Sequence, residues 1–318
     1  AYEHLPAENM LAFFLKTFGE GITRTYLQPY NEKIWKFDPS MMNTEMVERI
    51  PKPPAQDIVN SAKGIFSEGY LHQLHFTYPR KGGVQSIVNG VVELLQKKGV
   101  RLVSDNPILK IEKADGQWNV KTGKEMHSFD RIVNCMPIHE LFKVMPSPPV
   151  DILQHLQNLK YNSIYIVIVN VKGDILKNSF ATTIPEKDIL FHRLSRLDFM
   201  GEQYHLKDST TLMLEITFRK GDAVSRMTND EVVNRCISDL EKLKFIKSKK
   251  HVNFTKIRKE KYAYVIYDLD HRGNIKPVLE YLEQAGIESV GRFARFEYVN
   301  MDKVIEHSME LAKKFNAS

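Results

Sequence analysis

At 318 residues, with 42% hydrophobic and 26% charged content, the chain reads as a globular protein with a real core, long enough for two domains or one elaborated one. Its net charge of +6 is concentrated in residues 241–261, which hold nine Lys/Arg against two acids, and a run without a recognisable reader fold is a solvated helix end and loop, excluding nucleic acid as the expected partner. No apolar run nears the roughly 18 residues of a membrane span, and the opening AYEHLPAENM has neither the basic nor the apolar region of a signal peptide.

A chain that opens Ala-Tyr-Glu-His without an initiator methionine reads as a processed or truncated piece. Asn9 is a plausible helix cap, followed by Met10, Leu11, Phe13, Phe14 and Phe18 as an apolar face, and the glycines at 19 and 21 are expected to break that helix. Pro29 and Pro39 then bracket a segment whose aromatics must be packed. From His72 the pattern becomes a strand entering a turn at Arg80, Lys81, Gly82 and Gly83. A helix follows on Val84, Ile87, Val88, Val91, Val92 and Leu95 and stops at Gly99. Without Cβ atoms, Gly82 and Gly83 allow a planar ring or a phosphate to lie on the backbone, and Arg80 and Lys81 add positive charge; a side chain at Gly83 would take the ring's place.

Residues 100–137 alternate in period two, predicting a β-meander with strands near 101–104, 107–113, 117–121 and 131–135 and turns at Asp115-Gly116 and Thr122-Gly123. Tyr161 to Val171, Ile189 to Ser195, Thr210 to Phe218 and His251 to Tyr267 read as further, antiparallel strands. Thr228 to Glu231 is a capping box ahead of a helix with Val232, Cys236, Ile237 and Leu240 on its buried face. Ile287 to Val290 end a short strand, Gly291 permits close backbone approach, Arg292 follows directly, and Asn300 caps a helix starting near Met301. This closing stretch is either an ordinary strand–loop–helix with a surface arginine or a site for something anionic or electron-rich.

Cys135 and Cys236 lie far apart with no CxxC, so no disulfide framework is expected and the default compartment is a reducing cytoplasm. GxSxG, HExxH and EF-hand patterns are absent. His72 and His75 face opposite sides of a strand, so no metal site is expected. What stands out is arginine and tyrosine at strand ends: Arg193, Tyr262, Tyr264, Arg292 and Tyr298. Arginine matches a diphosphate through parallel charge-assisted bonds, and tyrosine hydroxyls add neutral donors.

The run Gly291-Arg292-Phe293 with Asn300-Met301-Asp302 opening a helix resembles the C-terminal flavin motif of UDP-galactopyranose mutases and related amine-oxidase-like flavoproteins, with Ala294 where that motif has glycine. Phe18, Gly19, Gly21, Ile22, Pro29, Tyr30, Asn31, Lys33, Trp35, Met42, Glu48 and Arg49 follow the order of the eukaryotic-type mutases, and Asp130 to Pro137 resembles the family's returning strand, which implies that Cys135 is a small core residue. The resemblance implies an α/β (mixed α+β) fold: a helical cap over 1–72, a portion of an FAD domain with the glycine helix and meander over 73–150, an antiparallel substrate sheet over 151–270, and a return to the FAD domain over 271–318. It further implies FAD, contacted by Arg80, Lys81, Gly82, Gly83, Ile108, Gly291, Arg292, Met301 and Asp302. A nucleotide sugar such as UDP-galactose would be held by Arg193, Tyr264, Tyr298 and Asn300, although Val265 stands where the family strand has proline. The strand–GxGxxG–helix that holds the FAD pyrophosphate in such proteins does not occur in this sequence. Three functions follow as expectations: a flavin-dependent sugar mutase or its C-terminal part, an FAD-dependent amine-oxidase or protoporphyrinogen-oxidase-like enzyme, or a non-catalytic piece without bound FAD.

Overall fold

A computed structural model describes residues 2, 4, 6–47, 54–65, 77–123, 125–173, 175–176 and 179–317. Glu48 and Arg49 of the motif above, and the expected strand with His72 and His75 up to residue 76, lie outside the described residues. The chain divides into two compact units, residues 1–101 with 164–259 and residues 102–163 with 260–318.

Helix α1 (Met10–Ile22) starts where Asn9 Oδ1 accepts the Ala12 N–H at 2.9 Å. Gly19, at φ 78°, interrupts α1 for a single residue, so the glycine pair kinks this helix where it was expected to end it. A π-helical turn leads into α2 (Gln28–Trp35), with proline in its first turn where a missing N–H is harmless. After α3 (Ala55–Ala62) comes α4 (Gly83–Lys97), which opens on the double glycine and closes just before Gly99. The strand expected at 101–104 is not formed: Leu102 and Val103 are exposed, and no described strand pairs with them, so their backbone has nothing to ladder against.

Strands β1 (Ile108–Ala114) and β2 (Gln117–Thr122) form the expected hairpin, with Asp115 and Gly116 both at positive φ as its two-residue turn demands. The meander is completed by β3 (Met126–Phe129), which the alternation did not announce. Strand β4 (Ile132–Asn134) leaves the meander. Cys135 corrects the reading of it as a core residue: Val133 two positions earlier is exposed and Asn134 is buried, so the period of two turns Cys135 outward. Helices α5 (Ile138–Val144) and α6 (Val150–Asn158) each start directly after a proline.

Next come β5 (Lys160–Lys172), β6 (Ala181–Thr183), β7 (Arg193–Arg196) and β8 (Ser209–Phe218). In the 189–195 run only the end is strand; Ile189 and Phe191 are buried in irregular chain. Helix α7 (Asn229–Lys242) carries the expected capping box between Thr228 and Glu231. The chain finishes with β9 (Val252–Ile266), α8 (His271–Ala285), β10 (Ile287–Ser289) and α9 (Met301–Ala317).

In the first unit, α7 lays Val232, Cys236 and Leu240 into a core with Val167, Leu214 and Ile216 from a sheet ordered β6-β7-β8-β5-β9. Each such side chain contributes about 1.5–3 kcal/mol of transfer free energy. Burial pushes the Cys236 thiol far up, which suits a core residue and not a nucleophile. In the second unit β4 pairs with β10 in parallel, Ile132 opposite Ile287, and β10 packs against α8, which buries Val278 and Leu282. No described helix is long and apolar enough to cross a membrane, and among the described residues no group of three His, Cys, Asp or Glu could hold a metal ion.

Candidate functional site

In the second unit the closing loop assembles several of the expected residues. Parallel pairing of β10 with β4 sets the end of the strand, and Gly291, at φ 115°, turns the chain out of it. Arg292 then lies with its guanidinium carbon 4.2 Å from the Tyr298 ring centre and 5.5 Å from that of Tyr264, with Phe293 at 5.9 Å. The two tyrosine rings are 6.0 Å apart, and the Tyr298 N–H donates to the Tyr267 hydroxyl at 2.8 Å, fixing the loop. The Nε and one terminal nitrogen of Arg292 are buried and meet no acceptor among the described residues. Cation–π contact covers the faces of the guanidinium but satisfies none of its N–H edges. A buried, unmet donor normally costs about 1–3 kcal/mol, more when charged. The arrangement is therefore complementary to an oxygen anion laid along that edge.

Asn300 follows, exposed, and its carbonyl accepts the Val304 N–H at 3.1 Å, so it does begin α9. Met301 and Asp302 are exposed in the first turn, where the carboxylate of Asp302 favours the helix dipole. Ile108 is the half-buried first residue of β1, paired with Thr122.

In the first unit Gly82 and Gly83 both take positive φ, at 76° and 59°. A Cβ on Gly83 would sit 3.0 Å from the Tyr204 hydroxyl and 3.1 Å from that of Tyr78. The face imagined as open backbone is thus roofed by two hydroxyls. Burial first, and the hydrogen bond with Tyr204 second, push the Tyr78 phenol up. Arg80 and Lys81 stand exposed on the preceding turn.

Arg193, at the start of β7, donates through Nε at 2.7 Å, and through a terminal nitrogen, to Glu215 Oε1 on β8. Glu215 is 3% exposed, and its second oxygen lies 3.8 Å from His192 Nε2. Both ring nitrogens of the buried His192 lack a hydrogen-bond partner among the described residues, and desolvation, with the nearby Arg193 charge, holds its pKa well below the usual histidine value. Sequence reading passed over Glu215, although a carboxylate inside the apolar run Leu212-Met213-Leu214-Glu215-Ile216 is the kind of residue that stays buried only with a partner. Tyr78, Tyr204 and Tyr267 were missed because nothing in their local sequence distinguishes them from packing tyrosines.

A model of the family described as flavin containing amine oxidoreductase matches residues 10–274. Among solved structures, a reduced UDP-galactopyranose mutase is similar with a TM-score of 0.83 and 22% identity, over 98% of this chain and 68% of that one. A protein from Exiguobacterium sp. 255-15 assigned as a protoporphyrinogen oxidase is similar at TM-score 0.67 and 15% identity, over 97% and 68% of the two chains. Cyclohexylamine oxidase from Brevibacterium oxydans IH-35A follows at TM-score 0.59 and 12% identity, over 92% and 63%.

Proposed function

Because the chain belongs to the flavin containing amine oxidoreductase family, we propose that it is a flavin-dependent nucleotide-sugar mutase of the UDP-galactopyranose type, or the part of one that carries substrate and flavin contacts. The observation that carries its flavin part is Arg292, packed against Tyr298 and Tyr264 with two buried donors that meet no acceptor among the described residues. Such a group suits a phosphate oxygen of the flavin; the sugar-mutase part of the reading rests on the motif positions Arg193, Tyr264, Tyr298 and Asn300. Likeness to the mutase structure supports the fold from which the reading starts.

In this proposal FAD is held by Gly291, Arg292, Met301 and Asp302 of the closing loop, by Ile108 of β1, and by Arg80, Lys81, Gly82 and Gly83 of the glycine turn. The orphaned donors of Arg292 fit a flavin phosphate; at the glycine turn a ligand would first meet the Tyr78 and Tyr204 hydroxyls. Bound flavin supplies the carbon–oxygen bond chemistry at the sugar, which leaves the protein to orient substrate and stabilise the departing diphosphate. Tyr264, Tyr298 and Asn300 would bind the nucleotide sugar, and Arg193 its diphosphate, with the buried Glu215 fixing the guanidinium.

One observation favours an FAD-dependent oxidoreductase of amines or porphyrinogens instead: Glu215 already neutralises Arg193. The two readings separate by titrating UDP into dithionite-reduced, flavin-loaded protein and, on a separate oxidised sample without dithionite, measuring amine-dependent oxygen uptake. A mutase should bind UDP, lose roughly 30-fold or more of that affinity on Arg193→Ala, and consume no oxygen. Absence of UDP binding by the wild type, together with amine-dependent oxygen uptake, would move the assignment to the oxidoreductase.

A further inference from the structure

The first unit contains a second concave site that shares no residue with the flavin and substrate contacts proposed above. A cleft of about 470 Å³ lies where the end of α2 meets the 186–190 loop, α7 and the turn at 223–227. That is within the size range of small-molecule sites, which are mostly apolar with a few convergent polar groups. Its chemistry is divided. Ile189, Leu190, Val224 and Met227 give an apolar wall, and Lys33, Lys36, Lys187 and Arg235 bring positive charge.

The charges are unequally answered. Lys187 is paired with Glu32 at 2.7 Å. Arg235 is held by Asp239 at 2.9 Å and by the Asp188 carbonyl. Lys33 reaches only neutral acceptors, the carbonyls of Ile184 at 2.9 Å and Glu186 at 2.8 Å. The Lys36 ammonium has no hydrogen-bond or ion-pair partner among the described residues, and the nearest acid acting on it, Asp222, is occupied by the N–H groups of Arg219 and Ser225. Burial first, and the Lys36 charge second, lower Lys33 to about 8, so the two ammonium groups repel each other across the cleft. Lys36 is also the residue that ends α2 in the left-handed conformation, φ 50° and ψ 37°, a place where glycine or asparagine is usual. A long cationic side chain kept in that backbone state, lining a cleft and without a direct ion-pair partner among the described residues, calls for a functional explanation.

We infer that this cleft binds an amphipathic organic anion, its head between Lys36 and Lys33 and its short apolar tail against Leu190, Val224 and Met227. Lysine ammonium groups act as point charges and do not impose the bidentate geometry of a guanidinium, so carboxylate and phosphate-monoester heads share the required chemistry.

The test is calorimetric titration of the 318-residue chain with octanoate and, separately, octyl phosphate, with inorganic phosphate as a headgroup-only probe. At least one amphiphile should bind one-to-one with a dissociation constant below about 1 mM; the tighter of the two identifies the head. Lys36→Met should weaken that binding at least tenfold without lowering the melting temperature. Lys36→Gly should weaken it equally while raising the melting temperature, because glycine relieves the left-handed backbone. Val224→Asp should abolish it. Three results would each overturn the inference: no saturable binding of either amphiphile up to about 5 mM, wild-type affinity in both Lys36 variants, or inorganic phosphate binding as tightly as octyl phosphate.

Discussion

A side chain at Gly83 would collide with two hydroxyls before it met any ligand, and it would also sit in a backbone state that L residues rarely take. Gly83→Ala should therefore destabilise the first unit by about 1–3 kcal/mol even without flavin, as read by urea denaturation. Unchanged stability would mean that Tyr78 and Tyr204 swing aside freely. His139 makes a second prediction. Its ring is packed by Tyr161, Tyr262 and Phe296, and burial, partly offset by a backbone hydrogen bond, lowers it from 6.5 to about 4. As pH falls below 6.5 the unfolded chain takes up a proton that the folded chain refuses until about 4, so stability present at neutral pH is lost across that window, up to about 3 kcal/mol. Beside it, Glu140 is lowered to about 2: burial opposes the shift, and hydrogen bonds from Lys143, Lys261 and Tyr262 outweigh it. Its stabilising effect is present above about 4.5 and fades toward 2. His139→Phe should flatten the pH dependence between 6.5 and 4 and leave the more acidic loss in place. A variant with the wild-type slope in denaturation midpoint would remove His139 as its cause.

Elements behave as the sequence reads them where local chemistry and tertiary context agree. Thr228→Ala removes the side-chain acceptor at the start of α7 and should cost about 1 kcal/mol, measured as a shift in denaturation midpoint. By contrast α4 presents Val84, Ile87, Val88, Val91 and Leu94 at 37–54% exposure, an apolar face with little packed against it. Val91→Glu should therefore leave stability within about 0.5 kcal/mol of wild type and reduce binding of a hydrophobic dye. A large destabilisation would show that this face is covered in solution. The meander hairpin, the capping box, the glycine at the end of β10 and the start of α9 were legible because each depends on neighbours in sequence. Helix α8 was not, since Gly273 and Pro277 argue against a helix, yet the missing N–H of Pro277 removes a single bond, the one to the Gly273 carbonyl, from a helix of 15 residues. The parallel partner of β4 and the buried carboxylate beneath Arg193 were illegible for a different reason: both arise from pairings between distant parts of the chain. Arg292 and its tyrosines were named from the motif, but the missing acceptor on its guanidinium is visible only in three dimensions.

At the scale of the whole molecule, the chain aligns with 68% of the length of the galactopyranose mutase it is similar to, and its sequence holds no GxGxxG. The purified 318-residue chain should accordingly carry flavin well below one per chain, measured by absorbance after release into denaturant. A yield near stoichiometry would show that the contacts proposed above suffice without a pyrophosphate-binding turn.

Both units are discontinuous, with the chain passing between them at 101/102, 163/164 and 259/260. On a ribosome this sets an order of events. The helices of residues 1–101 emerge long before the strands that complete their unit, and at about 5–20 residues per second the delay until residue 259 is about 8–30 s. Until residue 164 emerges, about 3–12 s later, the apolar faces of the early helices have no sheet of the same unit to fold against, and until residue 259 that sheet is incomplete. Newborn chains of this protein should consequently depend on chaperones during synthesis, and rare codons placed between residues 102 and 259 should lower soluble yield more than the same codons placed after residue 260.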